Sequence, residues 1–408
     1  MTTSHISHPT SDVSHLTSNV AYTPRVILVT GGAGFIGCNY VRYMLETYQD
    51  VRIVNLDALT YAGSLDNLKD LPDESRHTFV QGDICDRELV DKLMREHEVD
   101  TVVHFAAESH VDNSISGPEI FVKTNVMGTF TLLDSARQYW LEELGGRRKT
   151  LDVKCEMLDG RYKKEVEAIS PISHLPSDDA SVSSISHLTS NEALRASFRF
   201  HHISTDEVYG TLTKDDPAFS ETTPYAPNSP YSASKAGSDH LVRAYFHTYN
   251  MPVTTTNCSN NYGPYQHSEK FIPTVIRKCL AQESIPVYGD GSNIRDWLYV
   301  RDHCTGIDAV VRRGELGEVY NIGGINEWNN LDICKCICSI LDELRPISSS
   351  VSHLTSYADL ISFVQDRAGH DWRYAIDATK MNDKLDWKPD ETFETGIRKT
   401  VEWYLTSG

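Results

Sequence analysis

Positive charge is scarce in this 408-residue chain, where 38 Lys and Arg stand against 57 Asp and Glu for a formal net charge of −19. That balance excludes broad electrostatic binding to nucleic acid or to an acidic membrane surface, though a local basic pocket for phosphate stays open. Long apolar runs are also missing. Nothing approaches the roughly 20 residues of a membrane span, and the first residues are rich in Ser, His and Thr instead of basic and then apolar. Cysteine pairing of the zinc kind is absent too, because the nine cysteines include no Cys-x-x-Cys. Cys334, Cys336 and Cys338 fall in an apolar, helix-like stretch where small buried thiols are expected. The reading is of reduced cysteines, no metal site, a cytoplasmic location without membrane attachment, and small molecules as partners.

A short phrase recurs at Val13–Asn19, Ile185–Asn191 and Val351–Tyr357, with weaker copies at Ile6–Ser11 and Ile172–Ser177. The copies are too short and too unevenly spaced for a solenoid, whose repeats stack at a fixed period of roughly 20 to 50 residues. Metal ligation or catalysis by the repeated Ser-His pairs would need rigid elements that converge, and these segments lack apolar periodicity. They are expected to be polar surface insertions, so residues 1 to 23, about 160 to 196 and about 346 to 358 stand outside the fold argument.

Elsewhere strands and helices alternate. Strands are expected at 25–30, 51–56, 77–81, 101–106, 198–204 and 253–258, with helices at 35–47, 87–97, 122–137 and 232–249. Such alternation predicts an α/β fold, a doubly wound parallel Rossmann-type sheet over 24–260, followed by a smaller, mixed α/β substrate lobe over most of 261–408.

Gly31-Gly32-Ala33-Gly34-Phe35-Ile36-Gly37 follows the first strand and opens the first helix, the setting in which glycines admit a dinucleotide pyrophosphate. Asp57, about twenty residues beyond Gly37, should accept from the adenosine ribose and repel a 2′-phosphate, which favours NAD over NADP. Asp83 after the third strand is either an adenine contact or a helix cap. At the end of a later strand, Thr205-Asp206-Glu207 places a hydroxyl and two carboxyls on the usual ligand side of a parallel sheet. Tyr231 and Lys235 are four residues apart and share a helix face, so the ammonium is expected to lower the phenol's pKa and make it a usable base.

Gly31 to Gly37, Thr205 to Gly210 and Tyr231 to Lys235 together resemble the extended short-chain dehydrogenase/reductase family of nucleotide-sugar enzymes, and within it the dehydratases. Supporting stretches are His104 to Ile115, Asn260 to Tyr265, Glu269 to Pro273, Pro286 to Gly291, Ile294 to Val300 and Asp366 to His370. The likeness covers nearly everything outside the repeats. It implies NAD held by Gly31, Gly34, Phe35, Ile36, Gly37, Asp57, Asp83, Ile84, Ala106, Ala107, Ser109, Asn261 and the Tyr231/Lys235 pair. It further implies dTDP-glucose or a similar nucleotide sugar as substrate, with Tyr231 as base at the 4-hydroxyl, Glu207 as base at C5, Asp206 as acid at the 6-hydroxyl and Thr205 near the 4-hydroxyl. Substrate contacts carried over in the same way are His110, Asn260, Lys270, Phe271, Pro286, Tyr288, Arg295, Asn330, Asp366, Arg367 and His370. For Arg295, an ion pair with Asp296 is the blander reading. Relatives of this kind pair as homodimers through helices that correspond here to 121–140 and 232–249. The connection from Trp140 to Phe198 and the segment from Arg345 to Val364 are longer than the family pattern, yet neither removes a motif residue. A related nucleotide-sugar epimerase, a dehydratase of another nucleotide sugar and a redox-silent NAD sensor are the alternatives.

Overall fold

The computed structural model describes residues 21–146, 194–347, 354–366 and 371–407. Seven parallel strands form the main sheet: β1 (Val26–Thr30), β2 (Arg52–Asp57), β3 (His77–Gln81), β4 (Thr101–His104), β5 (Arg199–Thr205), β6 (Val253–Cys258) and, after intervening strands named below, β10 (Val319–Ile322). Their order is β3-β2-β1-β4-β5-β6-β10, so direction of winding reverses between β1 and β4. A crevice for a ligand opens at such a reversal, beyond the carboxyl ends of the two strands. Every residue of β1 and β4 is buried, as expected of central strands covered on both faces, whereas edge strand β3 is half exposed.

One face carries α1 (Phe35–Thr47), which turns Tyr40, Val41, Met44 and Leu45 into the core beside Ile27, Val29 and Ile53. The other face carries α2 (Arg87–Glu96), α3 (Thr129–Arg137) and α4 (Pro230–Tyr249), whose Val90, Leu93, Leu132, Leu133 and Val242 pack with Leu28, Val54 and Val102. Helix α4 begins two residues before its expected start because Ser229 and Ser232 form a reciprocal capping box and Pro230 supplies a preset φ at the first position. The helix holding α3 is longer than expected, continuous from Pro118 to Leu144 with i→i+5 stretches at Val122–Gly128 and Gln138–Leu144.

Beyond Asn260 the chain is shared between the sheet and a second unit. Helix α5 (Phe271–Ala281) belongs to the second unit, whereas α6 (Val300–Arg313) packs on α1 and β10 extends the main sheet. The remainder builds a mixed lobe: β7 (Asn260–Tyr262), β9 (Ile294–Tyr299), β11 (Glu327–Asn329) and β13 (Arg373–Tyr374) in one sheet, with β8 (Ile285–Tyr288) and β12 (Ile361–Val364) as a parallel ribbon. Helix α7 (Asn330–Leu344) buries Cys334 and Cys338 in this lobe's core, in line with the reading of its thiols as packing groups.

Several residues expected at the ends of the polar insertions pack into the fold. Tyr22 is buried, with its hydroxyl 2.8 Å from Thr101 Oγ1 and the Arg199 guanidinium over its ring. Leu194 packs in the core with Trp140 and Phe198. Ser356 caps a helical turn over 357–360 and donates to Asp342, while Tyr357 is buried. A Tyr where other copies carry Asn gives that third repeat an apolar anchor. The other repeat copies lie outside the described residues.

Ile325 has φ +57° and is 72 % exposed, between Gly324 and Asn326, whose N–H groups both donate to the Asp296 carboxylate. A β-branched residue is strained in the left-handed region and here loses no packing when replaced. Ile325→Asn should therefore stabilise the fold by about 1 kcal/mol, read as a higher urea midpoint. An unchanged or lower midpoint would contradict the strain.

Candidate functional site

Three of the four glycines of the first loop are held to separate tasks. Gly31 has φ +73°, and a Cβ there would come within 2.7 Å of the Ala106 nitrogen across the winding reversal. At Gly37 a Cβ would lie 2.2 Å from the Gly31 carbonyl oxygen, so glycine is required for helix and loop to touch. Gly34 is different: its nearest protein atom would be the Gly31 oxygen at 3.3 Å, and Gly34, Phe35 and Ile36 stay half exposed. The first turn of α1 has no side-chain cap and no acidic residue, which leaves its N–H groups and the positive end of the helix dipole for an anion. Asp57 is buried and pre-oriented, accepting from Ala33 N (2.9 Å) and Leu59 N (2.8 Å), with lone pairs remaining for hydroxyl donors. These features fit a dinucleotide.

Other expected cofactor residues are placed less uniformly. Ala106 and Ala107 continue β4 toward the crevice, and Ser109 Oγ lies 3.4 Å from the Tyr61 hydroxyl. The helix cap belongs to Asp86, whose side chain accepts from Leu89 N; Asp83 instead accepts from Cys85 N and faces Lys123. Ile84 buries its side chain in the core against Gly128, so only its backbone can reach a ligand. Asn261 accepts from His303 Nδ1 at 2.9 Å and donates to the Ser259 carbonyl.

At the carboxyl end of β5, Thr205 caps a single tight turn, Asp206–Tyr209, which is closed by Gly210 at φ +99°. Thr205 thereby lies under both the Glu207 N–H and the Tyr231 hydroxyl. Asp206 is fully buried, with one carboxyl oxygen lacking a hydrogen-bond partner. Burial first, then the neighbouring Glu207 and Asp296 charges, raise its pKa well above the ordinary carboxyl value, although Arg295 pulls the other way. Burial thus favours the neutral form of Asp206 beside a half-buried Glu207, the kind of environment that can sort two adjacent carboxyls into different roles.

Tyr231 and Lys235 do share a helix face, but the expected activation is not what dominates. Burial and then the Glu207 charge push the Tyr231 phenol well above its ordinary value. The Lys235 ammonium is itself buried and donates 2.8 Å to the Ile203 carbonyl, so it spends a bond on β5. Burial lowers its pKa, against the opposing pull of Asp239. Spacing on a helix predicts proximity; it says nothing of the solvent that both groups lose.

Arg295 is not a surface ion pair. Its guanidinium is buried, donates to the backbone carbonyls of Ile294, Asp371 and Trp372, and lies 4.5 Å over the Tyr374 ring, near the carboxyl groups of Asp206 and Glu207. Asp296 is occupied with the Gly324 and Asn326 N–H groups. Tyr374, which the motifs did not single out, thus enters the site; Glu207 is a leading influence on its phenol, whose hydroxyl donates to Asp371. Asn125 was also missed. It accepts from Glu108 N and donates to Ser234 Oγ, linking the loop after β4 to α4 inside the first i→i+5 stretch. Neither residue stands in a pattern readable without coordinates.

Of the remaining substrate candidates, His110 caps the helical turn 111–116, and Asn260 pairs with Trp297 in the lobe sheet. Lys270 and Phe271 start α5, Phe271 leaning on the lobe core. Pro286 and Tyr288 lie on the ribbon, Tyr288 exposed, with Asp366 against Gly289. The Asn330 N–H donates to Asn293, whose side chain in turn donates to the Asp371 carbonyl that Arg295 uses. Arg367 and His370 lie outside the described residues.

Asp206 also makes a stability prediction. Its folded pKa is raised, so between the ordinary carboxyl value and that raised value the folded chain keeps a proton that the unfolded chain has lost, and stability falls as pH rises. Asp206→Asn removes this dependence. Its melting-temperature difference from the parent should be constant at about pH 4 and below, then shift toward greater stability of the variant by about pH 8. A difference independent of pH would contradict a buried neutral acid.

Comparison with known proteins agrees with the geometry. The GDP-mannose 4,6-dehydratase family model matches residues 28–150 and 179–400. A dTDP-glucose 4,6-dehydratase of Xanthomonas campestris is 50 % identical over 380 residues, covering 93 % of both chains, and dTDP-glucose 4,6-dehydratase 1 of Escherichia coli is 48 % identical over 389 residues with the same coverage. Among solved structures, dTDP-glucose 4,6-dehydratase from Bacillus anthracis in complex with NAD superposes with a TM-score of 0.71 at 40 % identity, covering 94 % of this chain and 97 % of that one. With these motifs in these places, the chain belongs to the GDP-mannose 4,6-dehydratase family of extended short-chain dehydrogenases/reductases.

Proposed function

We propose that this protein dehydrates dTDP-glucose to dTDP-4-keto-6-deoxyglucose with NAD as a returned cofactor. The observation that carries the reading is the sorted pair at the end of β5: a buried neutral Asp206 next to a half-buried Glu207, facing Tyr231 and Arg295. An enzyme that only inverts a carbinol needs the tyrosine alone. Loss of water needs an acid at one carbon and a base at its neighbour.

When bound against Gly34 and the first turn of α1, NAD supplies a hydride acceptor for C4 and the same hydride for C6. Tyr231 takes the 4-hydroxyl proton, with Thr205 holding the oxygen between them. The resulting ketone acidifies C5–H, which Glu207 removes, while Asp206 gives its proton to the departing 6-hydroxyl, which leaves as water; hydride return to C6 is matched by a proton delivered to C5 by way of Tyr231 or solvent. Arg295 is suited to the diphosphate, since its fork is oriented by three carbonyls and its charge is uncancelled by any direct carboxylate bond among the described residues. Asn330, Tyr288 and Asp366 are the proposed nucleoside contacts, and Arg367 and His370 extend that set.

Three finer readings go with this one. The product suits a route to deoxysugars such as rhamnose. A reducing cytoplasmic setting is supported by eight free cysteines among the described residues. A homodimer is supported by exposed Ile120, Val122, Met127 and Phe130 on the long helix and Tyr249 on α4.

Purified protein given dTDP-glucose should form a 4-keto product, seen as its alkaline chromophore; turnover of UDP-galactose without water loss would favour the epimerase instead. Glu207→Gln should slow C5 deprotonation more than oxidation, so reduced-nicotinamide absorbance should build up during turnover; intact turnover without that build-up would remove Glu207 as the base. Phe130→Glu should halve the mass found by light scattering, and a parent that is already monomeric would refute the dimer.

A further inference from the structure

Tyr231 and Lys235 come from α4, Thr205, Asp206 and Glu207 from the end of β5, and nothing in the local sequence fixes one against the other. Asp239, one turn beyond Lys235 on the buried face of α4, does so. One carboxylate oxygen accepts from His202 Nε2 at 3.0 Å; the other accepts from Ser204 Oγ at 2.8 Å and from the Tyr225 hydroxyl at 3.0 Å. Donors of this kind are what a carboxylate removed from water requires.

The same side chain answers a charge problem. Lys235 is buried, and its hydrogen bond to Ile203 goes to a neutral carbonyl. The groups around it are the Cys258 thiol from β6, His104 from β4, His202 with Asp206 and Glu207 from β5 and the turn after it, and Tyr231 and Asp239 on its own helix. Burial keeps His202 neutral with a pKa near about 4, holds His104 well below its ordinary value, and raises Cys258 and Tyr231 out of the ionising range. Asp206 is held as the neutral acid, and Glu207 acts on the tyrosine side of the cluster. Asp239 is the leading influence that favours the ammonium.

We propose that Asp239 is a positioning residue whose buried carboxylate, clamped to His202, Ser204 and Tyr225, is the fixed counter-charge that keeps Lys235 an ammonium one turn from Tyr231. This rests on the dehydratase reading for its kinetic consequence alone; the electrostatic pairing stands apart from it. The sign follows from charge. A negative group favours both the protonated amine and the neutral phenol, so its removal lowers the pKa of each.

In Asp239→Asn, nearly the same shape without the charge, the ¹³Cε resonance of Lys235, assigned by its loss in Lys235→Met, should titrate at least about one pH unit lower than in the parent. Both limbs of the pH profile of dTDP-glucose turnover should move toward acid together. Tyr225→Phe, which removes one clamp bond and keeps the charge, should leave the lysine midpoint in place. An unmoved midpoint in Asp239→Asn, or an equal shift in Tyr225→Phe, would overturn the proposal whatever happens to melting temperature. Should Asp239→Asn not fold alone, the Lys235→Met and Lys235→Met/Asp239→Asn pair decides: the double variant should melt several degrees above the single one, and a double variant no more stable would show that the charges do not compensate. A parent that does not dehydrate dTDP-glucose would sink the functional reading while leaving the lysine titration to judge this one.

Discussion

A lysine ammonium buried against a strand carbonyl is the constraint on which the site depends. Lys235 reaches from α4 to the Ile203 backbone, two residues before Thr205, and thereby sets the distance between the helix that carries Tyr231 and the strand end that carries Asp206 and Glu207. Burial of Asp206, Tyr231 and Lys235 leaves little water to soften the arrangement. Burial and neighbouring charges therefore weigh on each ionisable group at that junction, and they favour the neutral form of Asp206 beside the half-buried Glu207.

The sheet order makes this junction useful. Reversal of winding between β1 and β4 opens the crevice where the glycine loop lies, and β5 is the next strand along from β4. A dinucleotide laid over Gly34 thus runs toward the end of β5, while the mixed lobe brings Arg295 and Tyr374 over the same edge through the backbone of Asp371 and Trp372. Two bodies of the fold meet where charges of both signs are needed.

Much of this was legible in sequence. The glycine loop, Asp57, the Thr205 to Glu207 run and the Tyr231/Lys235 pair are local patterns, and helix 35–47 and strands 77–81 and 253–258 have the bounds expected of them, because apolar periodicity and glycine punctuation are local signals. What escaped depends on tertiary contact. Desolvation of Tyr231 outweighs its helix neighbour, Asp86 takes the cap that was one of the two readings of Asp83, and Tyr374 and Asn125 enter through pairings between distant segments. The inserted repeats were read by composition alone, which missed that Leu194 and Tyr357 have core to pack against.

Following the hydrogen from C4 tests the central claim most directly. With dTDP-glucose deuterated at C4, turnover in ordinary water should place the deuterium at C6 of the 4-keto-6-deoxy product, and turnover of unlabelled substrate in heavy water should place one solvent deuterium at C5. Label lost to solvent, or a C5 position that takes up none, would contradict one site in which phenol, acid and base act on a single hexose.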